Sequence, residues 1–422
     1  MFVIVSIVTR SAAPTRSVAA PLRRARAATF GYFGLNGFLL GVWVVHIPTI
    51  ERRAGISHAT LGWLLLLLGL GAFAGMHIVG PLADRLGARR VVPVSAVLCS
   101  VALAGPGLAT NGWTLGLALL VLGFGNGCLD VSMNTHAVQV EAGYARPVMS
   151  AFHAVFSVGG FAAALVGART LAWELSPRVT LSIVAAIGAV LALLAVGALL
   201  PARPSASPAD VTAAGADDAD SSSAPAHAAT RRRIRVLAAV AFMLMLSEGV
   251  ANDWSTIAAR DGLGVSPATA ALAYGAFAGA MTVGRFVADR VAARAGAVAI
   301  LRWGAAVAAV ALAIVVLSPS IAVTIVGWAL FGLGLSGTVP QLFSAAGHAD
   351  PATAGANVSR VAGLGYLGML AGPAVIGPLT HLVEIRHAFV LPLLLCAIAA
   401  AAAPAVDARR ATAAGEPHPV AP

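Results

Sequence analysis

The chain has 422 residues, of which 59% are hydrophobic and 10% charged, with a mean hydropathy of +0.87 and a formal net charge of +10. A water-soluble domain carries roughly 25% charged residues, so this composition excludes a soluble fold and points to a helical membrane protein. The apolar runs are long, continuous and rich in Leu, Ala, Val and Gly, unlike the alternating segments of about ten residues that make a transmembrane β-barrel.

All 27 basic residues are Arg, and they fall between apolar runs instead of clustering on a soluble domain, so nucleic acid is not an expected partner. Cys99, Cys128 and Cys396 lie far apart within apolar runs and read as small buried residues. They form neither a disulfide framework nor a metal-ligand spacing. No metal and no cofactor is expected.

In chain order, residues 1–27 read as a basic cytoplasmic tail. Apolar segments long enough for the ~30 Å hydrocarbon core follow, at 28–49, 60–80, 91–110, 113–138, 148–169 and 178–200. A second set lies at 236–257, 266–286, 297–318, 320–343, 356–380 and 384–404. The expected fold is therefore all-α and membrane-integral, with twelve transmembrane helices in two six-helix bundles, 28–200 and 236–404. Between them, 201–235 is rich in Ala, Ser, Pro and Asp and ends in Arg231-Arg232-Arg233-Ile234-Arg235. It has almost no large apolar residues and is expected to be a disordered cytoplasmic linker. It reads either as a tether or as a lipid-binding segment. Residues 405–422 form a second cytoplasmic tail. Only Arg52, Arg53, Arg169, Arg178, Arg260 and Arg386 fall on one side of these spans, and the other 21 Arg fall on the opposite side. The positive-inside rule then places both termini in the cytoplasm.

The two halves repeat. Asp84-Arg85 and Asp289-Arg290 correspond at an offset of 205, and Gly123-Phe124-Gly125 matches Gly332-Leu333-Gly334 at 209. Ser150 and Gly159 match Ser359 and Gly368 at the same 209. Duplicated helical bundles of this kind are one transporter architecture, with the solute site near the midplane between the halves.

Residues 28–404 resemble the major facilitator superfamily. The pattern Gly80, Asp84, Arg85, Gly87, Arg89 and Arg90 fits that family's signature after the second helix, and Asp289-Arg290 is its degenerate copy. The resemblance implies charged latches between helices on the cytoplasmic side. Asp84 and Asp289 are expected near the N-terminal ends of the third and ninth helices, where the macrodipole favours anions. Within the family, Gly127-Cys128-Leu129-Asp130 resembles the fourth helix of fucose-permease-like sugar/proton symporters. That likeness implies a proton-coupling role for Asp130. Those symporters also carry an acid in the first helix, where this chain offers only Asn36 and His46. The fourth-helix Arg and fifth-helix Gly-Pro of many drug antiporters are absent.

Charged groups inside a spanning helix are costly and face a protein or aqueous interior. Asp130 and Glu248 are such groups, and each reads either as a proton carrier or as a structural hydrogen-bonding partner. Asn126, Asp130 and Asn134, four apart, share one helix face. Asn252 shares the face of Glu248 in the same way, while Asp253 reads equally as a solvated residue. Asn36, Asn126, Asn134, His153, Glu248, Asn252 and Gln341 are the candidate solute ligands, each with helix–helix packing as its alternative. Trp43 and Trp254 read as belt residues or as sugar-stacking surfaces, and His46 and His136 as interfacial. The expected function is a monomeric secondary active transporter of the bacterial inner membrane. It would move a small, sugar-like hydrophilic solute by alternating access with proton coupling. An exporter of drugs or metabolites, or a uniporter, is the alternative. A membrane sensor lacks a soluble domain, and a membrane enzyme lacks a catalytic constellation.

Overall fold

The structure, a computed structural model, describes residues 20–56, 58–144, 146–201, 223–265 and 267–406. Six helices build the first half: α1 (Ala20–Ala54), α2 (His58–Leu86), α3 (Ala88–Leu108), α4 (Gly112–Glu141), α5 (Met149–Ala172) and α6 (Pro177–Leu194). The second half contains α7 (Ser223–Leu263), α8 (Pro267–Ala295), α9 (Ala297–Leu317), α10a (Ile321–Leu335), α10b (Thr338–Gly347), α11 (Ala354–Leu379) and α12 (Val390–Ala402). Eleven spans among the described residues are long and apolar enough to cross a membrane. The remaining helix, α8, is 29 residues long and more polar, carrying Arg285, Asp289, Arg290 and Arg294. It occupies the position of the eighth of twelve.

Local chemistry sets several boundaries. Asn111 caps α4 by accepting from the Thr114 amide at 2.9 Å, and Thr114 returns a hydroxyl contact in a capping box. Ser176 caps α6, with Pro177 in its first turn. Gly87 and Gly296 close the α2–α3 and α8–α9 turns with φ of 81° and 85°, a backbone region where a Cβ is strained.

Each half pairs its helices in the same way. α1 packs on α5, α2 on α4 and α3 on α6, and correspondingly α7 on α11, α8 on α10a and α9 on α12. The halves meet along α2–α11 and α5–α8. Trp63, Trp113, Leu194 and Leu317 are highly exposed, a surface that lipid covers favourably.

The 209-residue repeat has a packing cause. A Cβ on Gly123 would run into the Leu68 carbonyl, and a Cβ on Gly332 into the Phe277 carbonyl. Both partners of the contact are thus displaced by the same 209. Small residues permit such close helix approach in a membrane. Gly123→Val is expected to lower stability by about 3 kcal/mol or more, read as a drop in melting temperature in detergent. Gly31→Ala, with nothing within 4 Å of the new methyl, should melt like the parent. Equal melting of parent and Gly123→Val would disprove the contact.

Several expected boundaries change. Helix α1 starts at Ala20, so 20–27 is not tail. Ala25 is fully buried, and the Arg26 guanidinium lies 5.2 Å from both the Phe30 and Tyr144 rings. The linker is helical from Ser223, because Ala- and Arg-rich sequence favours helix and Ile234 is buried. The tenth span breaks at Ser336-Gly337, and the twelfth is preceded by the short turn Ile385–Ala388. His46 and His136 are buried, not interfacial. His136 accepts from the Leu200 amide at Nε2 (3.0 Å) and so donates from Nδ1 to the Thr29 hydroxyl (3.0 Å), joining α4 to α1 and to the end of the first half. Trp43 is also buried, which removes it from the belt. The expectations for residues 1–19, 202–222 and 407–422 lie outside the described residues.

Candidate functional site

Four residues per near-turn on α4 bring Asp130 under Asn134. The Asn134 Nδ2 donates to the Asp130 backbone carbonyl at 2.9 Å and reaches its carboxylate at 3.5 Å. That use of Nδ2 leaves Asn134 Oδ1 to accept from His153 Nε2 of α5, at 3.2 Å. Phe33 and Phe343 stand beside the His153 ring, with centroids at 5.2 and 6.0 Å. One turn further on, the Ser157 hydroxyl donates to the His153 carbonyl at 3.3 Å.

The second half completes the cluster. Arg285 of α8 donates from Nη1 to Ser157 Oγ at 2.7 Å, and its Nη2 lies 3.7 Å from Glu248 Oε1 of α7. Tyr366 of α11 lies beside the Asp130 carboxyl and within electrostatic reach of Glu248 and Arg285. A continuous polar path therefore runs from Glu248 through Arg285, Ser157 and His153 to Asn134 and Asp130, crossing between the halves. With both acids ionised and Arg285 charged, the cluster carries net charge −1, and one proton brings it to zero. Asp130 Oδ2 has no hydrogen-bond partner and Arg285 Nε has none either among the described residues. In a low-dielectric interior such groups are costly unless a ligand or proton satisfies them.

The other candidate ligands divide. Asn36, Asn126 and Gln341 are buried, and each holds one unpartnered polar atom: Oδ1, Oδ1 and Nε2. Asn252 and Asp253 are exposed, and Asn252 stands apart from the cluster among the described residues. Ser255, on the same face by spacing, is fully buried.

Around the arginine-rich loops, the latch carboxylates cap helices of the opposite half. Asp84 accepts from the Gly355 and Ala356 amides at 2.6 and 2.9 Å, at the start of α11. Asp289 accepts from the Ser150 and Ala151 amides at 2.9 and 2.7 Å, at the start of α5. The expectation that they serve the third and ninth helices is corrected: a side chain at the end of α2 or α8 faces the half it packs against. Carboxylates and capped amides are both related by 205, so the two latches are one device used twice. Free helix-N-terminal amides and the dipole make this the favourable place for an anion. Gly80 fits here because a Cβ would press on the Gly355 carbonyl and Ser359. Arg85, Arg89 and Arg90 are exposed, and Arg290 only donates to the Phe286 carbonyl at 3.3 Å. Both carboxylates therefore accept from backbone amides, with Arg360 within electrostatic reach of Asp84 and Arg26 of Asp289.

Sequence reasoning missed three residues. Arg285, counted with the arginines of the loop end, lies in the central cluster. Its signal was an Arg inside an apolar segment. Tyr366 gave no signal of its own, whereas the spacing of Ser157 puts it on the face of His153. Glu141, at the end of α4, is a third cross-half contact. Its Oε1 accepts from the Val148 and Met149 amides at 2.9 and 3.2 Å, and its Oε2 accepts from the Ser344 hydroxyl of α10b.

Asp289→Ala should leave the Ser150 and Ala151 amides unsatisfied, a cost of about 1–3 kcal/mol, and so shift the population toward the arrangement open at this end. Spin labels at Arg146→Cys and Arg294→Cys, both exposed positions, report it, since Cys99, Cys128 and Cys396 are buried. An unchanged distance distribution would exclude a latch role for Asp289.

Comparison with known proteins places this geometry in context. A family model described as Major Facilitator Superfamily matches residues 28–356 and, in a second match, 237–421. An uncharacterized MFS-type transporter of Yersinia pestis is 34% identical over 372 residues, covering 88% of this chain and 93% of its own length. An uncharacterized transporter of Sinorhizobium fredii is 33% identical over 373 residues, covering 88% and 95%. The solved structure of the E. coli fucose:proton symporter FucP superposes with a TM-score of 0.74 at 18% identity, over 93% of this chain and 100% of that one. That last likeness is one of fold alone.

Proposed function

The chain belongs to the major facilitator superfamily, and on that premise we propose that it moves a small, sugar-like hydrophilic solute by alternating access coupled to protons. It is a membrane transporter with twelve helices in two bundles. The proposal extends to the bacterial inner membrane, both termini in the cytoplasm and a monomer. One observation carries it: a buried cluster of two carboxylates and one guanidinium is assembled from both halves. Opening the arginine-rich end requires breaking the Asp84, Asp289 and Glu141 contacts, and the same movement separates Arg285 from Ser157. Proton uptake at Asp130 or Glu248 changes the charge that the cluster presents to each arrangement. A ligand can only shift such an equilibrium by binding the two states differently, and a charge at the seam between them does so. The unpartnered amide atoms of Asn36, Asn126 and Gln341 offer both acceptors and a donor, which suits hydroxyl groups. The fold likeness to a fucose:proton symporter supports the same reading.

The test is uptake into proteoliposomes with an imposed proton gradient, screened over neutral sugars and polyols. Accumulation that a protonophore abolishes is expected. Uptake indifferent to the gradient would make the protein a uniporter, and solute driven opposite to proton flow would make it an exporter.

A further inference from the structure

Away from the central cluster, a cavity of about 770 Å³ opens between the third and fourth turns of α7 and the α10b–α11 connection. Three guanidinium groups line it: Arg231 and Arg235 from α7, and Arg360 from α11. Arg231 and Arg235 are four apart and share a face, and all three residues are exposed. Among the described residues no carboxylate forms an ion pair with any of them.

The remaining polar lining is already organised. Arg360 donates from Nη1 to Asn357 Oδ1 at 3.2 Å, and Asn357, itself only 2% exposed, donates to the Thr353 hydroxyl at 3.1 Å. Thr353 in turn donates to Asp350 Oδ2 at 2.8 Å, while Asp350 Oδ1 accepts the Ala352 amide at 3.0 Å. Asp350, the one carboxylate in the lining among the described residues, is thereby engaged within its own loop. The buried Asn357 holds Arg360 toward the cavity.

We propose that this cavity binds the phosphate of an anionic phospholipid headgroup through Arg231, Arg235 and Arg360. Guanidinium forks match phosphate oxygens two at a time. The place favours a lipid as the source. Arg231 and Arg235 lie within the turn and a half that precedes the apolar stretch of α7, and basic residues next to a spanning stretch meet the headgroups. The cavity also includes Ile234 and Pro351 beside the cations, apolar contact that a glycerol backbone uses and a free ion does not. Juxtamembrane basic residues attract anionic lipid in the same manner. The bound phosphate would join α7 to the start of α11, the segment that Asp84 caps.

The test uses the full chain in detergent, with bound phosphatidylglycerol and phosphatidylcholine measured by native mass spectrometry. The triple variant Arg231→Gln/Arg235→Gln/Arg360→Gln is expected to bind phosphatidylglycerol about 100-fold more weakly. Arg294→Gln/Arg302→Gln, exposed arginines outside the cavity, should bind like the parent. The corresponding triple Lys variant, which keeps the charge but not the forked geometry, should bind more weakly than the parent and more tightly than the Gln variant. Equal weakening in the triple Gln and the Arg294/Arg302 variants would reduce the effect to bulk charge and overturn the site. So would loss of binding in the Lys variant to the level of the Gln variant, or equal binding of phosphatidylcholine. Displacement of phosphatidylglycerol by inorganic phosphate would overturn the lipid assignment in favour of a soluble oxyanion.

Discussion

Asp130→Asn should reduce gradient-driven accumulation to the level seen with no gradient, while solute exchange at equal pH on both sides continues. The two assays separate coupling from binding. The amide keeps the size of the carboxyl and its place beside Asn134 and Tyr366, but it carries no titratable proton and no charge. Exchange needs only the empty and loaded carrier to reorient, whereas accumulation needs the proton to travel with the solute. The same variant should melt no lower than the parent, because a buried carboxylate oxygen without a partner is replaced by a neutral group. Gradient-driven accumulation surviving intact in Asp130→Asn would remove Asp130 from coupling and leave Glu248 to be tested in the same way.

Arg285→Met should be the most destabilising single change in the central cluster, at about 3–5 kcal/mol, with transport lost. Removing the guanidinium leaves Glu248 in the interior with no counter-charge, and strands the Ser157 hydroxyl contact across the seam. The side chains of Arg285 and Glu248 are 17% and 14% exposed, so the residual water places the effect toward the lower end. Adding Glu248→Gln to Arg285→Met should recover most of the stability, because the unpaired charge is then gone, but not transport. Melting temperatures of the parent, the two single variants and the double variant form a double-mutant cycle that isolates the pair. Additive effects would show that the 3.7 Å approach carries no coupling, and the charge argument for the seam would fall with it.

These residues show how far the chain could be read before it was folded. The spanning segments were legible because membrane crossing depends on length and hydropathy, both local properties. Errors gathered at the ends. Ala20 to Ala27 and Ser223 to Arg235 are polar enough to read as tail and linker, yet they extend α1 and α7 because helix propensity persists past the apolar stretch. The duplication was legible in the Gly123/Gly332 match, since both glycines answer the same steric demand. Asp130, Asn134 and His153 were visible as polar residues in costly places, and the structure joins them. Glu248 was visible too, but its partner was not. Arg285 near a helix end looked like a topology signal until α8 met α5.

The sequence by itself determined the membrane solvent, the helical class, the two-fold repeat and the presence of buried acids, because each follows from composition, periodicity or the energetic cost of a residue in its own segment. The tertiary structure alone decided that Asp84 caps α11 and Asp289 caps α5, that Glu141 reaches Ser344, and that Arg285 sits between Glu248 and Ser157. Those contacts join segments more than a hundred residues apart in most cases. Their geometry is set by which helix faces meet across the two halves, and no local property of either segment encodes it.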